Sequence, residues 1–171
     1  MFAEYFANKD ERYALAAINQ YLDFIGDNGG LLYDTYTKEA ALNAAFLGDP
    51  YASSAFAGAL ACDGIIDGTA ATSMLKFIWQ GATGLTLPKN EWRKHNGQAF
   101  QIDSLLRYIA YFPEFKDRNQ WITNIDRRVM ELAEDLLYAD GGYLESTSGY
   151  DSGVLSTFTG LFDLAEVAGI D

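Results

Sequence analysis

Apolar residues recur every three to four positions in several stretches of the chain, a spacing that places them on one face of an α-helix. Residues 117–138 show this spacing best, and it also predicts helices at 10–25, 98–112 and 151–168, with a further helix near 70–80. The apolar face of the best stretch consists of Trp121, Ile125, Val129, Leu132 and Leu136. No stretch alternates apolar and polar residues as a half-buried strand does, so the pattern predicts an all-α fold.

Turn-forming residues separate the predicted helices and indicate their arrangement. Gly26 is expected to end the first helix, and two short helices are predicted after it, at 34–47 and from Asp49 onward. Successive helices joined by loops predict a single helical domain over residues 1–171. Its expected architecture is a stack of antiparallel helical hairpins, as in an α-solenoid or a partial (α/α) toroid.

Composition and charge restrict the classes of partner. With 49% apolar residues and only 21% charged residues, the chain has enough apolar material for a folded core. Its net charge of −12 argues against nucleic acid and against an acidic membrane as partners, because both attract basic proteins. The start, MFAEYFANKDERY, lacks a basic region followed by a long apolar run, so neither a signal peptide nor a membrane anchor is predicted.

The chain contains one cysteine and one histidine, which restricts metal chemistry. Cys62 cannot form an internal disulfide, and together with His95 it cannot complete a Cys/His metal site, so we expect neither a metal nor a cofactor. Because Cys62 lies in the apolar run AFAGALACDG, we interpret it as a small buried residue rather than a reactive thiol.

Two long polar connections carry the candidate chemistry. In GATGLTLPKNEWRKHNG, Arg93 and Lys94 belong to the densest basic stretch of an acidic chain, which is either a solvated loop or an anion site. The second connection, ADGGYLESTSGYDSG at 139–153, has more polar side chains than a simple turn needs. Because the helices at 98–112 and 117–138 are expected to form one hairpin, the two connections should lie at the same end of it.

The run HNGQAFQIDSLLRYIAYFPEFKDRNQW, followed by DGGYLESTSGYDSGVLSTFTGLFDLAEVAG, resembles the toroid domain of the heparinase II/III-like polysaccharide lyases, a group that includes several alginate lyases. The upstream run EAALNAAFLGDPYASSAFAGALACDGI is similar to earlier helices of that domain. The family commonly has Asn-His-Gly, whereas this chain has His95, Asn96 and Gly97 in that order. Either Asn96 or His95 therefore matches the family asparagine, and we favour Asn96.

The resemblance implies β-elimination on an acidic polysaccharide that contains uronic acid. In this interpretation Asn96 neutralises the uronate carboxylate, Tyr150 acts as base or acid at the reacting proton, and His95 is a third catalytic candidate. Substrate contacts are expected at Trp92, Arg93, Lys94, Gln98, Glu145 and Ser148, with capping of free N–H groups at a helix start as the equal alternative for Glu145. Trp92 is the better candidate for stacking on a sugar ring, because Trp121 lies on an apolar helix face and is expected in the core.

The family resemblance also implies a longer toroid and a second domain, so we expect residues 1–171 to be a fragment or a shortened relative that forms one wall of a cleft. Expected partners are an acidic polysaccharide or oligosaccharide, the remainder of the enzyme, or another copy of the chain. The resemblance implies a secreted or periplasmic location.

Two other functional classes stay open. An (α/α)-barrel glycoside hydrolase would use a pair of carboxylates, for which Asp140 and Glu145 are the suggestive loop residues. A non-catalytic helical module would bind a glycan or a protein and cleave nothing. In that case Tyr150 would be an ordinary packing residue.

Overall fold

The computed structural model describes residues 1–27, 57–62, 64–92, 97–144 and 148–170. Within these ranges the secondary structure is helical, apart from turns and a single β-bridge between Leu137 and Tyr143. The helices are α1 (Phe2–Asn8), α2 (Glu11–Asp27), α3 (Gly68–Leu85), α4 (Gly97–Tyr111), α5 (Arg118–Leu136) and α6 (Ser148–Val167), and a 3₁₀ turn spans Pro88–Asn90. The predicted all-α class is confirmed, while the toroid arrangement stays a prediction.

Five of the helices lie where the apolar spacing predicted them, and their ends differ by a few residues. The helix predicted at 10–25 continues through Gly26 to Asp27, so the expected stop at that glycine was wrong. The two short helices predicted at 34–47 and from Asp49 lie outside the described residues, except that residues 57–60 are helical. Helix α1 was not predicted, because seven residues are too few for an apolar period to show.

The chain divides into two compact units, Met1–Gly81 and Ala82–Asp171. In the first unit, α1 packs against α2. The rings of Tyr21 and Phe77 meet edge to face with their centroids 6.3 Å apart, which joins α2 to α3. The N-terminal end of α3 is capped by Asp67, whose Oδ1 accepts a hydrogen bond from the Ala70 N–H at 2.8 Å.

The second unit is organised around α4, which packs against both α5 and α6. Phe115, in the turn between α4 and α5, contacts Phe112 on one side and Trp121 on the other, at centroid distances of 6.1 and 5.4 Å. Trp121 is 1% exposed, so its predicted place in the core is confirmed. The buried apolar residues of this core include Ile102, Leu105, Leu106, Ile109, Ile125, Leu132, Leu136 and Leu161.

Hydrogen bonds fix the directions of the helices in the second unit. Gln98, at the start of α4, donates to the carbonyl of Arg128 in the middle of α5. The end of α4 meets the start of α5 through the aromatic contacts of Phe115, so these helices run antiparallel. A guanidinium nitrogen of Arg118, at the start of α5, donates to the carbonyl of Ala168, just after α6. Since the Leu144 N–H donates to the Leu136 carbonyl at 2.8 Å, the chain returns to the end of α5 shortly before α6 begins. The starts of α4 and α6 therefore lie at the same end of this unit.

Helix length and composition also bear on membrane insertion. Along the parts of the chain that the structure describes, none of the helices combines the length and the apolarity needed to cross a bilayer.

Candidate functional site

The predicted catalytic residues are only partly within the described structure. Arg93, Lys94, His95, Asn96 and Glu145 lie outside the described residues. Ser148 and Tyr150 are the first and third residues of α6, where the helical backbone alone is described. The structure therefore describes the surroundings of the candidate site. We call these surroundings the frame, which consists of the chain on either side of residues 93–96 and of helices α4 and α5.

Gln101 links the two sides of this frame. Its side chain is 1% exposed and lies in the second turn of α4. The Nε2 group donates to the Asn90 carbonyl at 3.0 Å, and the Oε1 atom accepts a hydrogen bond from the Trp92 N–H at 3.3 Å. A side chain on α4 thus holds the backbone that precedes residues 93–96, while α4 itself begins directly after them.

Arg128 supplies the charge beneath this link. It is 0% exposed, and its guanidinium donates to the Leu85 carbonyl at 3.1 Å through Nη1 and to Gln101 Oε1 through Nη2. Burial lowers the pKa of Arg128 to about 10, so the side chain stays charged near neutral pH. No ion pair joins Arg128 to a carboxylate of the described residues, and this buried charge is held by neutral oxygen acceptors.

The neighbouring Arg127 forms ion pairs at the edge of the frame. Its guanidinium donates to both carboxylate oxygens of Glu91, at 3.3 Å from Nη1 to Oε2, and reaches Glu131 at 2.8 Å. Hydrogen bonding to Glu91 raises the pKa of Arg127. The Glu91 side chain is 3% exposed, so the residue before Trp92 is fixed to α5 by a largely desolvated carboxylate.

Asn90 closes the turn between α3 and the predicted basic stretch. It is buried, and its Nδ2 group donates to the Gly84 carbonyl at 2.7 Å. Its Oδ1 atom and the Oε1 atom of Gln98 are buried and have no hydrogen-bond partner within the described part of the structure. The frame therefore contains two buried hydrogen-bond acceptors that no described group satisfies.

Two predicted substrate contacts can be located. Trp92 is half-buried, and the hydrogen bond from its backbone N–H to Gln101 Oε1 fixes the position of its backbone. Gln98 is completely buried, and its Nε2 group donates to the Arg128 carbonyl at 3.4 Å. Sugar stacking by Trp92 and substrate contact by Gln98 stay predictions. In the described geometry, Gln98 bonds to protein.

The sequence interpretation missed Arg128, Gln101 and Asn90. One signal was present in the pattern, because Arg128 stands three residues after Ile125 and four before Leu132, on the apolar face of the predicted helix. A charged residue at such a position is either buried with partners or breaks the face. Its partners lie too far along the chain for spacing to identify them.

The second connection is a tight turn that uses one of the suggestive carboxylates. Gly141 has φ 86°, and the Gly142 N–H donates to Asp140 Oδ1 at 3.0 Å. The Tyr138 N–H donates to the Gly142 carbonyl at 2.7 Å, which closes the turn. Asp140 is exposed and stabilises its own turn, and Glu145 lies outside the described residues. No group of three or more His, Cys, Asp and Glu side chains within the described ranges is arranged to hold a metal ion.

Comparison with known protein families identifies the family to which this part of the chain is similar. Residues 71–171 match the family described as Heparinase II/III N-terminus, a range that includes most of α3, all of α4 to α6 and both polar connections. The chain belongs to the heparinase II/III-like family, which confirms the resemblance found in the sequence. No curated protein and no solved structure matches the chain.

Proposed function

We propose that this chain is the helical part of a polysaccharide lyase that cleaves a uronate-containing acidic polysaccharide by β-elimination. The observation that carries the proposal is the family match over residues 71–171, because this range contains both RKHNG and STSGY. The polysaccharide is the proposed partner, and the proposed location is outside the cytoplasm, as implied by the family.

The proposed chemistry assigns one role to each connection. The C5 proton of a uronic acid lies next to a carboxylate and becomes acidic only when that carboxylate is neutralised. The amide of Asn96 would donate to the carboxylate, with Arg93 and Lys94 supplying positive charge nearby. Tyr150 would take the C5 proton or protonate the leaving glycosidic oxygen, and a phenol with an ordinary pKa near 10 needs cationic neighbours to act as a base at neutral pH. His95 is the alternative to Asn96 at the family position.

The arrangement of helices in the second unit supports this pairing. Helix α4 begins directly after Asn96, and Tyr150 is the third residue of α6. The backbone bond from Leu144 to Leu136 and the contacts of α4 bring these two helix starts to the same end of the unit. A helix start is also favourable for a carboxylate, because free N–H groups and the helix dipole point toward it.

The overall charge makes the local basic stretch necessary for such a substrate. A chain of net charge −12 repels a polyanion at long range. Binding would therefore depend on short-range contacts from Arg93 and Lys94, and we expect it to respond to their removal more than to a change at distant cations.

The test is turnover by the full-length protein on uronate polysaccharides, followed by the ultraviolet absorbance of the unsaturated product. Tyr150→Phe and Asn96→Ala should each lower turnover by about a hundredfold or more. Tyr138→Phe is the matched control, because Tyr138 is an exposed tyrosine in the adjacent turn. Its turnover should equal that of the wild type.

Three outcomes would count against the proposal. Undiminished turnover in Tyr150→Phe would remove this tyrosine from the reaction. A saturated product would indicate the hydrolase, and glycan binding without any cleavage would indicate a non-catalytic helical module.

A further inference from the structure

An apolar groove lies between α5 and α6, in a part of the second unit that the proposed reaction does not use. Its volume is about 460 Å³, and its lining includes the buried side chains of Leu106, Ile125 and Leu161. Met130 from α5 and Phe162 from α6 also line it, and they are 62% and 64% exposed. The groove therefore presents large apolar side chains to solvent, which is typical of an interaction surface.

The form of the groove fits a helix. Helices α5 and α6 both contact α4, and the groove is the channel between them, with Leu106 of α4 at its base. On α6 the lining extends from Phe158 to Glu166, a rise of about 12 Å. An amphipathic helix presents its residues i, i+3, i+4 and i+7 over a similar length, and such residues are the usual anchors in an apolar groove.

The charges of the groove indicate the chemistry of its occupant. Asp126 from α5 and Glu166 from α6 line the groove and are exposed. Among the described residues of the lining, none is a lysine or an arginine, and no ion pair within the described ranges involves either carboxylate. An acidic glycan would be repelled by these charges, and a second copy of the chain would bring the same carboxylates to the contact. Positive charge on the occupant complements them.

We propose that this groove is the docking site for an amphipathic helix of another protein, in which lysine or arginine residues flank an apolar face. The apolar face covers Met130 and Phe162, and the basic residues lie opposite Asp126 and Glu166. This inference is independent of the proposed function, because it uses none of the proposed catalytic or substrate-binding residues.

The experiment uses synthetic helical peptides of about 15–20 residues and the full chain. The test peptide has leucines on one face and lysines on both flanks, and its matched control has glutamates in place of the lysines. We expect the lysine peptide to bind at least about tenfold more tightly by fluorescence anisotropy, with a difference that shrinks as salt is added. A peptide of the same composition in scrambled order should bind at least about tenfold more weakly, because it has no apolar face.

Variants of the chain locate the binding. Phe162→Ala should weaken binding of the lysine peptide about tenfold or more. The double variant Asp126→Asn, Glu166→Gln should remove most of its advantage over the glutamate peptide. Phe100→Ala and Glu134→Gln are the matched controls, because they change an exposed phenylalanine on α4 and an exposed glutamate on α5 that do not line the groove. Both controls should keep the wild-type affinity.

Several results would overturn the proposal. These are no binding of the lysine peptide, equal affinity for the two peptides, and unchanged affinity in Phe162→Ala. A dimer of the chain in light scattering that Phe162→Ala dissociates would assign the groove to a second copy instead. The substituted side chains are exposed, so the variants should keep their helical circular dichroism. If Phe162→Ala nevertheless does not fold, the double variant at the two carboxylates decides.

Discussion

Arg128 and Gln101 are hydrogen bonded to each other in the interior of the second unit, where Arg128 is 0% and Gln101 1% exposed to solvent. The bond connects the middle of α5 to the second turn of α4. A charge in this place is tolerated because both terminal nitrogens of the guanidinium meet an oxygen, Nη1 the Leu85 carbonyl and Nη2 the amide oxygen of Gln101. The Nε group of Arg128 is buried and has no hydrogen-bond partner within the described residues. Gln101 also bonds to the Asn90 carbonyl and to the Trp92 N–H, so the network includes the backbone of both residues.

The ion pair between Arg127 and Glu91 should contribute measurably to stability. The Glu91 side chain is 3% exposed and Arg127 is 41% exposed, so water screens the pair only in part. Glu91→Gln leaves an NH₂ group facing guanidinium donors, and we expect a loss of about 1–2 kcal/mol in the free energy of unfolding, measured with urea. Asp10→Asn is the control, because its partner Arg12 is 88% exposed and an asparagine still accepts the hydrogen bond from the Arg12 N–H at the start of α2, so its urea midpoint should move less. Equal effects of the two substitutions would contradict this reasoning.

The aromatic turn between α4 and α5 should be a main source of core stability. Trp121 is 1% exposed and packs against Phe115, so Trp121→Ala removes a large buried surface and leaves a cavity. The expected loss is about 3–5 kcal/mol, which thermal and urea unfolding would detect. Met130→Ala on the same helix should change stability by less than about 0.5 kcal/mol, because Met130 is 62% exposed. A small effect at Trp121 would mean that the turn adds little to this core.

The sequence predicted those features that depend on neighbouring residues. Helical period is a local property, and α4, α5 and α6 lie within a few residues of their predicted positions. The expectation that the two polar connections lie at one end followed from the prediction that the helices at 98–112 and 117–138 form one hairpin. The bonds of Gln98 and Leu144 place the starts of α4 and α6 at the same end of the unit, which agrees with it. Asn96 and Tyr150 as a catalytic pair stay a prediction, because the described residues do not include Asn96 or the side chain of Tyr150.

The buried polar frame could not be predicted, because its bonds join residues that are distant in sequence. Gln101 and Arg128 are 27 positions apart, and Arg128 and Leu85 are 43 positions apart. Which faces of α4 and α5 meet depends on the packing of the whole unit, and periodicity gives only the faces themselves. An arginine on the apolar face of a predicted helix indicates a buried charge, but only the tertiary structure determines which groups accept its hydrogen bonds.

Two glycines should respond in opposite ways to alanine. Gly141 has φ 86°, a left-handed conformation that alanine adopts only at a cost, although nothing lies within 4 Å of the added Cβ. Gly141→Ala should therefore lose about 1–2 kcal/mol through the backbone alone. Gly160 lies within α6 and also has open space around it, so Gly160→Ala should gain about 0.5–1 kcal/mol from helix propensity. Urea unfolding of the two variants measures both values, and changes of the same sign would show that backbone conformation does not decide them.

Cys62 should be unreactive in the folded chain. It is 0% exposed, its thiol donates to the Gly58 carbonyl at 3.2 Å, and burial raises its pKa above the usual 9.0, partly offset by the charge of Lys9. Because the thiolate is the reactive form, alkylation by iodoacetamide at pH 8 should be slow until denaturant is added.

The raised pKa of Cys62 also makes the free energy of unfolding depend on pH. The folded state holds this proton more tightly than the unfolded state, so the contribution is complete below pH 9.0 and is lost as the pH rises through the folded value. Stability of the wild type should therefore decline more steeply above pH 9.0 than that of Cys62→Ala, in which all other groups titrate alike. Parallel pH profiles, together with alkylation as fast in the folded as in the denatured chain, would show that Cys62 is open to solvent.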